Sequence, residues 1–252
     1  MPLTIQIQNV SKSFGSLRAI DDLSVDIEEK SLTILIGPNG SGKTTLINTI
    51  AGLYRPDGGK VIFNGKDITG FPPHKIYALG LARTFQIPNL FWKLTVLENA
   101  MVATKRHPGE SFVRSIVKST WIKNEREVAE TAFKTLDVVG LYNVWDKPAE
   151  SLSGGQMKLL EIGRSLMGGA KTILLDEPIS GVNPTLAHQI FAKLIDLRKD
   201  LGVTFFIIEH RLDIALKYID TVVAMSYGKL IAQGKPEVVM TDPKLIEAYL
   251  GG

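Results

Sequence analysis

The sequence predicts an α/β fold built on a mostly parallel sheet, and three observations carry that prediction. A short apolar run, Leu32 to Ile36, is followed at once by a glycine-rich loop and then by a helical stretch, Thr44 to Leu53. The last hundred or so residues alternate apolar strand-like runs with helical ones, which suits parallel strands covered on both faces. The first part instead alternates apolar and polar residues at period two, as antiparallel strands do.

The elements follow in order. Thr4 to Val10 and Leu23 to Ile27 read as strands. Lys60 to Phe63, Asn64-Gly65 and Lys66 to Ile68 read as a hairpin, since Asn-Gly suits a tight turn of positive φ. From about Leu90 to Glu150 the chain is mainly helical, with apolar residues at Val128, Ala129, Ala132, Phe133, Leu136 and Val139 close to helical spacing. Strands are expected at Thr172 to Leu175, Val203 to Ile208 and Thr221 to Met225. Helices are expected at Leu186 to Leu201 and Asp213 to Tyr218.

With 252 residues, 44% hydrophobic and 22% charged, the chain has the material for a sizeable core. A net charge of +3 is too small to argue for nucleic acid. The absence of cysteine excludes disulfides, cysteine-ligated zinc and iron–sulfur clusters. The N-terminal residues lack the pattern of a secretory signal, and no apolar run approaches the roughly 18–20 residues of a membrane span. The expectation is a soluble chain whose membrane role, if any, comes through a partner.

Gly37-Pro38-Asn39-Gly40-Ser41-Gly42-Lys43-Thr44 fits G-x-x-x-x-G-K-[ST], the phosphate-binding loop of nucleotide triphosphatases, between the strand and helix that such a loop requires. Its backbone N–H groups and the helix N-terminus would hold phosphate oxygens; Lys43 would reach the β- and γ-phosphates of ATP, and the Thr44 hydroxyl would ligate Mg²⁺. The competing reading is a plain glycine turn. The apolar strand Thr172 to Leu175 carries Asp176 to a sheet edge, as a second Mg²⁺ ligand, and Glu177 follows where a general base would polarise the attacking water. Alone, Asp-Glu-Pro would read equally well as a capped turn. Leu152-Ser153-Gly154-Gly155-Gln156 then opens a second helix, a second anion-binding N-terminus in one chain. The economical explanation is that Ser153, Gly154, Gly155 and Gln156 serve the nucleotide of another copy.

At this point the chain resembles the ATP-binding subunits of ABC transporters over essentially its whole length, with the motifs in the family's order. The resemblance implies a P-loop NTPase core with an N-terminal antiparallel β subdomain (together residues 1–90 and 160–252) and an inserted helical subdomain (91–159). It implies that Phe14 stacks on adenine, although a Phe packed in a β core is the alternative. Gln86 would reach Mg²⁺ and the attacking water, and His210 would contact the γ-phosphate; without the family they would read as a loop amide and a structural histidine. Thr45 completes the phosphate loop. Ser180 to Pro184 matches the loop where two copies touch, with Asn183 where the family usually has Asp. The implied partners are a second ATPase subunit, identical or similar, transmembrane permease subunits, and indirectly a solute-binding protein, placing the chain peripherally on the cytoplasmic face of the membrane. No nucleic acid is expected. Gly80 to Gln86 and Leu94 to Asn99 look most like the larger ATPase subunit of branched-chain amino acid importers, as do the long 107–126 segment and the ending Glu247 to Gly251.

Some readings stay open. Phe91 and Trp92, in the apolar loop after Gln86, either form an exposed contact patch for the permease or fill the helical subdomain's core. The 107–126 segment, with Phe112, Val113, Ile116, Val117 and Trp121 near one helical face, is expected to pack on the domain, with contact to lipid headgroups as the minority reading. A chromosome-maintenance ATPase would carry long heptad repeats between the phosphate loop and Ser153, and none occur. A non-catalytic nucleotide-gated scaffold would not be expected to keep Lys43, Gln86, Asp176, Glu177 and His210.

Overall fold

The computed structural model describes residues 2–104 and 122–250, with Leu250 as backbone only. The chain divides into two compact units, Met1–Gln86 with Lys171–Gly252, and Ile87–Ala170.

The first unit holds two sheets. Strands β1 (Leu3–Phe14), β2 (Leu17–Glu28), β4 (Gly58–Phe63) and β5 (Lys66–Asp67) form an antiparallel sheet in the order β2-β1-β4-β5. Asn64 and Gly65 both take positive φ (47° and 76°), as the Asn-Gly turn predicts. Strands β1 and β2 run several residues beyond the clean period-two stretches, because register shifts along their ladder break the alternation that would reveal the rest.

The second sheet has the order β10-β9-β3-β8-β7-β6. Here β3 is Leu32–Ile36, β6 Leu81–Arg83, β7 Thr172–Asp176, β8 Thr204–Ile208, β9 Thr221–Ser226 and β10 Lys229–Gly234. All pairings are parallel except that of β10 with β9. Along β3, β7, β8 and β9, Leu35, Leu174, Phe206, Ile208, Val223 and Met225 join one apolar cluster with Leu46, Ile47 and Ile50 of helix α1 (Lys43–Ile50). That cluster also takes in Ile5, Ile7, Ile20 and Val25 of the antiparallel sheet, so α1 is packed between the two sheets. The intervening residues Ile34, Ile173, Phe205, Ile207 and Val222 are equally buried and face the other way, since strand side chains alternate. A long helix (Pro184–Leu201) with buried Ile190, Phe191, Leu194 and Leu197 packs against β3 and β8 on that side. The helix expected at Asp213 to Tyr218 is reduced to one turn, Leu212–Ala215, which no side chain caps.

The second unit is helical. After α2 (Pro73–Ala78) of the first unit come α3 (Val96–Val102), α4 (Ile122–Val138) and α5 (Gly154–Met167), packed on one another through buried Val96, Ala100, Ala132, Leu136, Leu160 and Ile162. This unit takes in the whole of α5, where the sequence expectation ended it at 159. The long helix of the first unit is then α6, followed by α7 (Leu212–Ala215), α8 (Pro236–Val239) and α9 (Pro243–Leu250). The expectation for the 107–126 segment falls largely on residues 105–121, outside the described residues.

Candidate nucleotide site

Between β3 and α1 the backbone turns through three glycines of positive φ: Gly37 (152°), Gly40 (77°) and Gly42 (101°). A Cβ on Gly37 would run into the carbonyl oxygen of Met225, and one on Gly42 into that of Ala19; at Gly40 there is open space, and only the backbone angle calls for glycine. The loop is thus shaped by close approach to β9 and β2 as much as by clearance for a ligand. No side chain caps α1, whose N-terminal N–H groups are left for a ligand. Lys43 is folded back on the loop: its Nζ donates to the carbonyls of Gly37 (2.8 Å) and Pro38 (2.9 Å). Burial holds the Lys43 ammonium below its ordinary pKa, and the nearby charges of Glu177 and Asp176 partly oppose that shift. Thr44 is exposed, Thr45 half-buried and Ser41 buried.

A cleft of about 410 Å³ opens over this loop, lined among others by Phe14, Asn39, Lys43, Thr44, Glu177 and His210. Phe14 is 43% exposed, which removes the core reading; its ring meets Tyr54 edge-on at 5.2 Å, and Lys12 Nζ lies 5.4 Å from its centroid. Tyr54 carried no signal in the sequence beyond being aromatic.

Asp176 ends β7, and Glu177 follows in a left-handed conformation (φ 49°) with its N–H on the carbonyl of Ile208 at 2.9 Å. Two predicted residues meet the Glu177 carboxylate. Gln86 Nε2 donates to Oε2 at 2.8 Å, and His210 Nε2 stands 3.4 Å from Oε1. Asp176 Oδ2 accepts from Arg83 at 3.0 Å. Glu209, 3% exposed, went unnoticed in the sequence. Its carboxylate accepts from the N–H groups of Ile179 (3.0 Å), His210 (2.8 Å) and Arg211 (3.1 Å), fixing the loop that bears His210 to the turn after Glu177. Arg211 also donates to the Val182 carbonyl at 2.9 Å. Asn183 caps α6, accepting from the Leu186 N–H at 2.9 Å with Pro184 at the first helical position. Asn serves that cap as well as Asp would.

Ser153, Gly154, Gly155 and Gln156 belong to the other unit. There Ser153 and Gln156 form a capping box on α5: the Ser153 hydroxyl accepts from the Gln156 N–H (3.4 Å), and Gln156 Oε1 from the Ser153 N–H (2.9 Å). Ser153 and Gly154 are exposed. In the same unit Phe91 and Trp92 are 47% and 42% exposed, with Arg164 lying 5.2 Å from the Phe91 ring, so they are half-packed rather than core.

Among the described residues no cluster of His, Cys, Asp or Glu could hold a metal by itself. The hydroxyl, amide and carboxylate oxygens of Thr44, Gln86 and Asp176 nonetheless fit Mg²⁺, a hard cation that takes one or two carboxylates and fills its sphere with phosphate oxygens and water.

A strand ending in a left-handed glycine turn, with the lysine at the head of the next helix and an acidic pair at the end of a strand in the same sheet, is the architecture of P-loop nucleotide-binding domains. Residues 20–180 match the family model described as ABC transporter, and the chain belongs to that family. It is 50% identical over 247 residues to the probable branched-chain amino acid transport ATP-binding protein LivG of Archaeoglobus fulgidus, covering 98% of this chain and 95% of that protein. It superposes on the crystal structure of a nucleotide-free ATP-binding cassette from an ABC transporter with a TM-score of 0.86 at 45% identity, both chains being fully covered. The ADP conformation of an ABC-transporter cassette matches with a TM-score of 0.85 at 44% identity, again over the whole of both chains.

Proposed function

We propose that the chain is the ATP-hydrolysing subunit of an ABC importer of branched-chain or other hydrophobic amino acids. The observation that carries the hydrolytic reading is the Glu177 carboxylate, held by Gln86 on one oxygen and facing His210 on the other, in a cleft over the phosphate loop. The solute is suggested by the name of the relative at 50% identity.

On this reading the phosphates of ATP lie on the N–H groups between Gly37 and Thr45, and Lys43 exchanges its two carbonyl partners for phosphate oxygens. Adenine stacks on Phe14. Thr44, Asp176 and Gln86 would hold Mg²⁺, which would supply charge neutralisation to the phosphates. Glu177 accepts a proton from the water that attacks the γ-phosphorus, as the bond from that phosphorus to the bridging oxygen breaks and ADP leaves. His210 reports the γ-phosphate through the loop fixed by Glu209. Ser153 to Gln156 of a second subunit close over the nucleotide and exclude bulk water. Loss of the γ-phosphate removes the bridge between subunits, and the pair opens, driving the permease. The chain would sit peripherally on the cytoplasmic face, held there by the permease; no helix among the described residues is long and apolar enough to cross a membrane.

The test is reconstitution with its co-purifying permease in vesicles. ATP-dependent uptake of leucine, isoleucine or valine is expected. The Glu177→Gln protein is expected to pair on ATP while turnover falls by about 10²–10⁴. Wild-type turnover in that variant would remove Glu177 as the base. Stimulation by DNA with no permease co-purifying would overturn the transport reading.

A further inference from the structure

Arg83 is the last residue of β6, and its side chain is 9% exposed. One end of its guanidinium donates to Asp176 Oδ2 at 3.0 Å, and the other donates to Asn48 Oδ1. The Asp176 side chain is 13% exposed, so this pair is largely shielded from water. Asn48 stands four residues after Thr44 in α1, one turn on and on the same face of the helix. A single side chain therefore joins the helix that presents the Thr44 hydroxyl to the strand end that presents the Asp176 carboxylate. Its own strand leads three residues further to Gln86. The elements carrying all three oxygen donors proposed for Mg²⁺ meet at Arg83. The guanidinium carbon also lies 5.2 Å from the ring centre of Phe85.

The chemistry suits a fixed spacer. Guanidinium is a planar fork whose two ends satisfy two acceptors at a set separation, which an ammonium on a flexible stem does not reproduce. With Arg83 on Oδ2, Asp176 is turned by a second partner in the way that groups behind metal ligands turn those ligands. We infer that Arg83 is a positioning residue of the metal site: by bridging Asn48 and Asp176 it sets the spacing of Thr44 and Asp176 that Mg²⁺–nucleotide requires. The inference rests on the proposed reading that Thr44 and Asp176 hold Mg²⁺.

The readout is binding, not turnover: the affinity of the purified full chain for fluorescent AMP-PNP, measured with Mg²⁺ and again with EDTA. In wild type Mg²⁺ tightens binding. In Arg83→Lys that gain falls about tenfold or more, while affinity in EDTA changes less than twofold. Loss of the buried partner of Asp176 also threatens folding, so the thermal midpoint is followed and a second variant is included. Asn48→Ala leaves the ion pair and removes only the anchor to α1; it is expected to lower the Mg²⁺ gain in the same direction by about threefold. An unchanged gain in both variants, or an equal fall with and without Mg²⁺, overturns the positioning role. A larger gain in Arg83→Lys also overturns it, since Arg83 would then compete with the metal. Asp176→Asn separates the two levels: if it keeps the full Mg²⁺ gain, or if wild type shows none, the metal assignment itself fails.

Discussion

Helix α1 follows Gly42 and α5 opens on Gly154, and they finish their first turns differently. Behind Gly42, α1 starts with no side chain on its N–H groups. Behind Ser153, α5 starts with the N–H groups of Ser153 and Gln156 met by a reciprocal Ser153–Gln156 box. An uncapped end is unfavourable by itself and suits a chain that expects an anion there; a boxed end is more stable alone and leaves fewer N–H groups for one. The difference suggests an order: the first unit seats the phosphates, and the second engages only when a nucleotide held elsewhere is presented to Ser153.

The strongest way to break that contrast is Lys43→Ala, which should lower ATP affinity roughly ten- to hundredfold, as loss of a charged hydrogen bond to phosphate would. Calorimetry on the single chain reads it directly. Next comes Glu209→Gln, because Glu209 does for the His210 loop what Gln156 does for α5, satisfying backbone N–H groups with a side chain. Placing an amide N–H among three donors should cost about 1–3 kcal/mol in denaturant unfolding. Ser153→Ala should cost about 1 kcal/mol as a lost cap and weaken ATP-driven pairing, seen by light scattering, while single-chain ATP affinity stays put. A fall in that affinity comparable with Lys43→Ala would erase the distinction between the two helix ends.

The smallest effects are in pH; they share a sign in the two units, stability rising with pH, but one lies in acid and the other in alkali. Glu98, in the Thr95 capping box of α3, has its carboxyl pKa lowered by hydrogen bonds from the Thr95 backbone and hydroxyl. Its contribution is complete above the ordinary carboxylate value of 4.5 and is lost as pH falls through the lowered one. Lys43 is depressed by burial, so the unfolded chain holds that proton more tightly, and its contribution to stability improves as pH rises from the lowered value towards 10.5. Unfolding midpoints of wild type against Lys43→Met in mild alkali, and against Glu98→Gln in acid, isolate the two slopes.

Much of the fold was legible because its signals are local. Leu32–Ile36, Thr172–Asp176 and Thr204–Ile208 are short apolar runs bounded by turns, and the phosphate loop is contiguous. Strand β6 is three residues long and owes its existence to pairing with β7, which no local pattern encodes. The site was legible as a set of residue types but not as contacts. Arg83 and Asp176 are 93 residues apart, and Ile179 and Glu209 are 30 apart. Asn183 looked like a departure from a family aspartate, whereas its helix-capping role needs only a side-chain oxygen.

The order of the central sheet has a consequence for how the protein is made. Strand β3, which leads into the phosphate loop, lies between β8 and β9, and both are encoded after residue 200. On the ribosome the loop-bearing strand therefore waits without its neighbours while the whole of Ile87–Ala170 is synthesised, and that segment can pack first. Pairings of such long sequence separation are slow to form. A newly made chain should acquire its helical unit early and its capacity to bind nucleotide last, so an unfinished subunit has no ATP to consume.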